Sequence, residues 1–141
     1  MARSFLQKDK LFSLLLRTAR LRLVKPLVSI FYRPMLPLLP IHRLQENAHW
    51  VALHHPHPEY ALHLLILPKQ AIASLSDARM DDPNLYADLF VIIQKLITVY
   101  NLEHSAYRLI SNGGQNQSIP IWHWHLICDA FSISNTPRSY L

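Results

Sequence analysis

The chain has 141 residues, 50% hydrophobic and 16% charged, with one cysteine and a formal net charge of +5. That length fits one domain with a real core, the composition excludes a disordered chain, and the lone Cys128 excludes a disulfide framework or a four-cysteine zinc site. The charge is lopsided, with nine Lys or Arg and one acid (Asp9) in residues 1 to 43 against five bases and eight acids in the remainder, so the main domain is not expected to bind nucleic acid.

Residues 1 to 40 form a basic, leucine-rich arm. Its apolar runs fall short of the ~20 residues that cross a bilayer, and Arg17, Arg20, Arg22 and Lys25 break up any secretory core. A helix is expected from about Ser4 to Lys25, ending at Pro26. Pro34, Pro37 and Pro40 then make an extended connector, since each fixes φ and removes a donor. The bases spread around more than half of the helical wheel, so the arm reads first as a helix packed on the domain or on a second subunit. Peripheral contact with a membrane surface through residues 1 to 40 is the alternative. With a single cysteine, the expected setting is a reducing, cytoplasmic one, at the membrane surface if the arm binds there.

The compact domain is expected over residues 41 to 141. Trp50 to Leu53 reads as a short strand, ended by the rigid run His54-His55-Pro56-His57-Pro58. Ala61 to Leu67 is apolar on both faces and closed by Pro68, which describes a buried strand, and His63 lies inside it. The two strands make an antiparallel hairpin. A helical turn is expected over Ala71 to Leu75. A longer helix starts after Asp81 and Asp82, with Pro83 at an early position and carboxylates at the positive dipole end. Leu85, Leu89, Ile92 or Ile93, Leu96 and Tyr100 recur at helical spacing through to Asn101. Ala106 to Ile110 is a further strand. Strands, a helix and more strands predict an α+β domain with an antiparallel sheet.

The most informative stretch runs from Asn112 to Asp129. Gly113 and Gly114, the only glycines in the chain, head an amide-rich loop ending in Gln117 and Ser118. From Ile119 to Ile127 the residues alternate, which predicts a strand. His123 and His125 then share one face, about 6 to 7 Å apart along the chain. An imidazole serves as nucleophile, general base or metal ligand. Attack on phosphorus suits it, with Asn112, Gln117 and Ser118 supplying donors to the non-bridging oxygens. Histidines with ordinary structural hydrogen bonds are the plain alternative. A zinc site is another, and it would need a third ligand from His63 or Asp129.

These blocks resemble the histidine triad (HIT) family. The match is Asn112-Gly113-Gly114, then Gln117-Ser118-Ile119, then Ile121-Trp122-His123-Trp124-His125-Leu126-Ile127. Upstream, His63 through Lys69 followed by Ile72 to Leu75 is similar to the family's buried strand and the short helix after it. The resemblance covers roughly residues 44 to 129. It implies a HIT-like antiparallel sheet with one long helix and a homodimer built through that helix and a shared sheet. It further implies nucleotidyl hydrolase or transferase chemistry at the α-phosphate of a purine nucleotide conjugate, with no metal and no cofactor. His123 matches the nucleophile that becomes a covalent nucleotidyl-histidine. His125, Gln117, Ser118 and Asn112 match phosphate-contacting positions, and His63 matches a histidine beneath the site. His55 and Pro56 fall where the nucleoside is held.

Two departures qualify what the resemblance implies. Ile121 stands where the first triad histidine belongs, although its backbone carbonyl remains available to orient the His123 ring. The expected result is weakened turnover, and the alternative is a nucleotide-binding or partner-binding protein with little catalysis. His55 stands where many members keep an acid for the ribose hydroxyls, and an imidazole cannot chelate a diol as a carboxylate does.

Overall fold

The computed structural model describes Tyr32, Leu36 and residues 41 to 79 and 81 to 130. The elements are β1 (Arg43–Glu46), β2 (Trp50–His54), β3 (Leu62–Pro68), α1 (Pro83–Val99), β4 (Tyr107–Ile110) and β5 (Trp124–Cys128). Single 3-10 turns occur at Leu75–Asp77, Leu102–His104 and Gly114–Asn116. The expected arm helix, the connector prolines and the end of the chain lie outside the described residues.

The strands form one antiparallel sheet in the order β1-β2-β3-β5-β4. β3 lies at its centre and is buried along its whole length, which is why its sequence is apolar at every position but His63 and Pro68. The strand period of two sorts side chains onto two faces. Even-numbered residues, among them Trp50, Ala52, Leu64, Ile66, Leu126 and Cys128, pack against Leu85, Leu89, Ile92, Ile93 and Leu96 of α1. Odd-numbered residues Val51, Leu53, Leu65 and Leu67 join Leu36, Ile119 and Ile121 in a second cluster. The helix therefore covers one face and leaves the other for the histidines.

Local chemistry fixes where α1 begins and ends. Asp82 caps it by accepting from the Leu85 N–H at 3.3 Å, and Pro83 occupies the first turn, where no N–H is needed. The stop is Asn101, whose φ of 52° is left-handed, a conformation asparagine tolerates better than most residues. The Trp50 indole donates to the Leu85 carbonyl at 2.7 Å and meets Trp122 edge-on at 5.2 Å. One side chain thus ties β2 to the helix and to the segment leading into β5.

The structure corrects three expectations. β1 was not anticipated, because its four residues bury only Leu44 and their pairing with β2 is irregular between Arg43 and Gln45. The short turn falls at Leu75–Asp77 and not over Ala71 to Leu75, after Ser74, whose hydroxyl donates to the Asp77 carboxylate at 2.6 Å. β5 begins at Trp124 and not at Ile119. Pro120 has no N–H for a ladder, and the Trp122 N–H is drawn instead to the Ile72 carbonyl at 2.7 Å. The alternation survives this, since Trp122 faces the helix side while Ile119 and Ile121 face away.

Replacing fully buried Leu96 by alanine should cost about 2 to 5 kcal/mol in urea unfolding. Asp82→Ala should cost about 1 kcal/mol through loss of the cap. Similar small losses for both would mean that α1 is not held by its apolar face.

Candidate functional site

Register places the first two histidines. In the β3–β5 pair Leu65 lies opposite His125 and His63 opposite Ile127, so His63 and His125 are diagonal neighbours on one face, within reach of each other. The His63 Nε2 and the His125 Nδ1 are 3.0 Å apart. The Glu59 N–H donates to the His63 Nδ1 at 3.3 Å. A neutral imidazole has one donor and one acceptor, so the His63 Nε2–H donates to the His125 Nδ1. The His125 Nε2 is then left with the proton. That atom is buried without a hydrogen-bond partner among the described residues.

His123 sits just before β5 and is 1% exposed. Its Nδ1 lies 2.7 Å from the Ile121 carbonyl. A carbonyl only accepts, so Nδ1 carries the proton and Nε2 of the neutral ring keeps a free lone pair. The ring stands edge-on to His125 at 4.9 Å. Behind it, the Ser111 hydroxyl donates to the His123 carbonyl at 3.1 Å and accepts from the Trp122 indole at 2.9 Å. Ser111 therefore fixes the backbone from which His123 projects.

His55 completes the group. It follows β2 in the rigid proline run beside Pro56, and its ring stacks on His63 at 4.0 Å with planes 7° apart. The His55 Nδ1 lies 2.7 Å from the His57 carbonyl and 3.2 Å from the His57 N–H; the shorter contact is to an oxygen that only accepts, which puts the proton on Nδ1 and leaves Nε2 without one. Tyr60 stands edge-on to His63 at 5.4 Å. One ring nitrogen from each of His55, His63 and His125 falls within 4.8 Å of the others.

Burial disfavours the charged form of all four rings. It lowers the pKa of His123, lowers that of His55 against a smaller opposing pull from its bond to His57, and takes His63 to about 4 and His125 to about 3. Mutual repulsion among the histidines adds to the effect on His63 and His125. At neutral pH the cluster is a set of uncharged imidazoles with assigned protons.

The amide loop contributes differently from the sequence expectation. Gly114 has a φ of 56°, which explains a glycine there, whereas Gly113 does not need one. The Gln117 amide donates to the carbonyls of Ala73 and Ile119, the latter at 2.8 Å, so both its hydrogens brace the loop and only its oxygen is left over. Asn112 is half-buried and Ser118 is exposed. Four histidines are thus brought together, while Gln117 holds the loop against the segment after β3. Ser111, Tyr60 and the Glu59 N–H were missed in the sequence, since a lone serine, a loop tyrosine or a backbone donor leaves no motif.

Comparison with known proteins is consistent with this geometry. The HIT domain family model matches residues 39–131. An uncharacterized HIT-like protein of Chlamydia trachomatis is 28% identical over 100 residues, covering 71% of this chain and 89% of the relative. A HIT family hydrolase from Legionella pneumophila superposes with a TM-score of 0.64 at 28% identity, covering 72% of this chain and 93% of that one. A histidine triad nucleotide-binding protein from Candida albicans gives 0.59 at 25% identity, covering 70% and 72%.

The depressed histidines predict an acid-sensitive fold. Unfolded histidines titrate near the ordinary 6.5, above the values of about 4 and 3 held by His63 and His125 in the fold. The unfolded chain therefore gains protons first as pH falls, and stability drops from about pH 6.5 downward. Thermal melts between pH 7.5 and 4 should show Tm falling on acidification, with a shallower fall in His125→Gln. A Tm that is flat or rising across that range would contradict the burial of uncharged rings.

Proposed function

The chain belongs to the HIT domain family, and on that premise we propose that it is a nucleotidyl hydrolase or transferase acting on a purine nucleotide conjugate. The observation that carries the proposal is the 2.7 Å contact between the His123 Nδ1 and the Ile121 carbonyl, which puts the ring's proton on Nδ1. The lone pair on Nε2 attacks the α-phosphorus. The bond from phosphorus to the departing group breaks, and that group leaves with the electron pair and takes up a proton. Water then attacks the nucleotidyl-histidine, releases the nucleoside monophosphate and restores the ring. The buried Nε2–H of His125 is a donor for a non-bridging oxygen, with His63 fixing its tautomer from behind. Asn112 and Ser118 supply further loop donors, and His55 and Pro56 border the nucleoside.

Ile121 supplies the orienting carbonyl but no imidazole, and its side chain joins the apolar cluster of Val51, Leu53 and Leu65. Its presence argues for modest turnover. A second reading, a nucleotide-binding or partner-binding protein with little catalysis, draws on the 1% exposure of His123 and on the commitment of the Gln117 hydrogens to carbonyls.

The proposed assembly is a homodimer. α1 exposes Phe90 and Val91, and β4, at the sheet edge, exposes Tyr107. Those are the surfaces through which a second copy would extend the sheet and pack helix on helix. Among the described residues no helix is long and apolar enough to cross a membrane. A cytoplasmic setting, with membrane-surface contact through residues 1 to 40 as the alternative, belongs to the same proposal.

Adenosine phosphoramidate and diadenosine polyphosphates, offered to the purified chain and to His123→Ala, should be turned over by the first at a rate at least about 1,000-fold above the second. Equal, negligible turnover with tight AMP binding by both would favour the binding protein instead. In sedimentation, the unaltered chain should run as a dimer and Phe90→Glu should shift it toward monomer. A monomer at all concentrations would remove the assembly proposal.

A further inference from the structure

The three-ring group formed by His55, His63 and His125 has a geometry that nucleotidyl transfer does not require. Transfer uses the His123 lone pair and a donor on His125, yet His55 is stacked on His63 at 4.0 Å and reaches to 5.7 Å from His125. One ligand-type nitrogen from each lies within 4.8 Å of the other two. The His63 Nε2 and the His125 Nδ1 are 3.0 Å apart across a single shared proton. Two nitrogens bound tetrahedrally to zinc at about 2.0 to 2.1 Å stand about 3.3 Å apart, so replacing that proton by a cation needs only a small spreading of the pair.

We propose that His55, His63 and His125 form a binding site for a divalent cation of the zinc class, taken by three imidazole nitrogens with a fourth position left for water or an oxygen ligand. His55 is prepared as a ligand. Its Nδ1–H is held by the His57 carbonyl at 2.7 Å, the arrangement that commonly fixes a metal-binding imidazole with its other nitrogen free. His125 presents Nδ1 as an acceptor already. His63 must move its proton to Nδ1, at the expense of the long 3.3 Å bond from the Glu59 N–H. His55 must also tilt out of its parallel stack, a rotation about a broad side-chain torsion.

The surroundings favour a cation. Among the described residues, the groups acting electrostatically on the three rings are other histidines and the Glu59 carboxylate beside His55. Three nitrogen donors and no carboxylate in the set select zinc, cobalt or nickel over magnesium or calcium. A cation on the His125 Nδ1 would keep that ring's proton on Nε2 and so leave its donor toward phosphate in place, a consequence that rests on the nucleotidyl reading.

The test uses the full chain, stripped by chelator and dialysed against zinc alone, with no nucleotide present. One zinc per chain should bind, and the cobalt-substituted protein should show the intense visible bands of a four-coordinate site. His55→Phe and His125→Asn should each weaken zinc binding by more than about 100-fold, since even outer partners of a metal ligand are worth about 10 to 100-fold. His123→Ala should bind zinc as the unaltered chain does. Folding of each variant is checked by its melting curve. Zinc binding that survives in both His55→Phe and His125→Asn, or that is lost in His123→Ala, would overturn the site. Because the readout is binding of the ion alone, such a result would leave the nucleotidyl reading standing.

Discussion

The pairing of β3 with β5 is the constraint from which the site follows. A slip of one residue would turn every side chain of β5 over, burying His125 under α1 and exposing Leu126 and Cys128 on the other side. The register is held because Leu64, Ile66, Leu126 and Cys128 share the apolar layer beneath the helix. With Leu65 opposite His125 and His63 opposite Ile127, the 3.0 Å contact between the two rings follows from the ladder. The hydrophobic core thus aligns a polar cluster that it does not itself contain.

A line of hydrogen bonds then decides what each ring can do. It begins at the Glu59 N–H, passes through His63 and ends at the His125 Nε2–H. A separate bond from His123 to the Ile121 carbonyl runs the opposite way and leaves Nε2 bare. Neighbouring rings of the same chemistry, at 4.9 Å, are a donor in one case and a lone pair in the other. The difference comes from backbone groups, and it explains how position 121 can be isoleucine and still orient the ring after it.

Much of this was legible in the sequence, for identifiable reasons. α1 declared itself because its cap, its Pro83 and five buried positions at helical spacing all agreed. The shared parity of His123 and His125 was readable because period two survives even where β5 leaves the ladder, whereas the side on which His63 joins them came from the β3–β5 register. β1 was not legible, since four residues with a single buried side chain carry too little pattern. The shortening of β5 depended on Pro120 and on the Ile72 carbonyl, a partner remote in sequence. The fate of the Gln117 amide hydrogens was equally hidden, because the Ala73 carbonyl that accepts one of them is 44 residues away. His55 was read singly, for lack of an acid, and its stacking on His63 emerged only once the turn after β2 was placed.

The central claim is an assignment of protons, and nitrogen NMR of imidazoles reads it directly. In the nitrogen-15 labelled chain at neutral pH, long-range correlations should show His123 uncharged with its proton on Nδ1, and His63 and His125 uncharged with theirs on Nε2. Finding His123 with its proton on Nε2, or cationic, would leave no lone pair to meet phosphorus and would contradict the account.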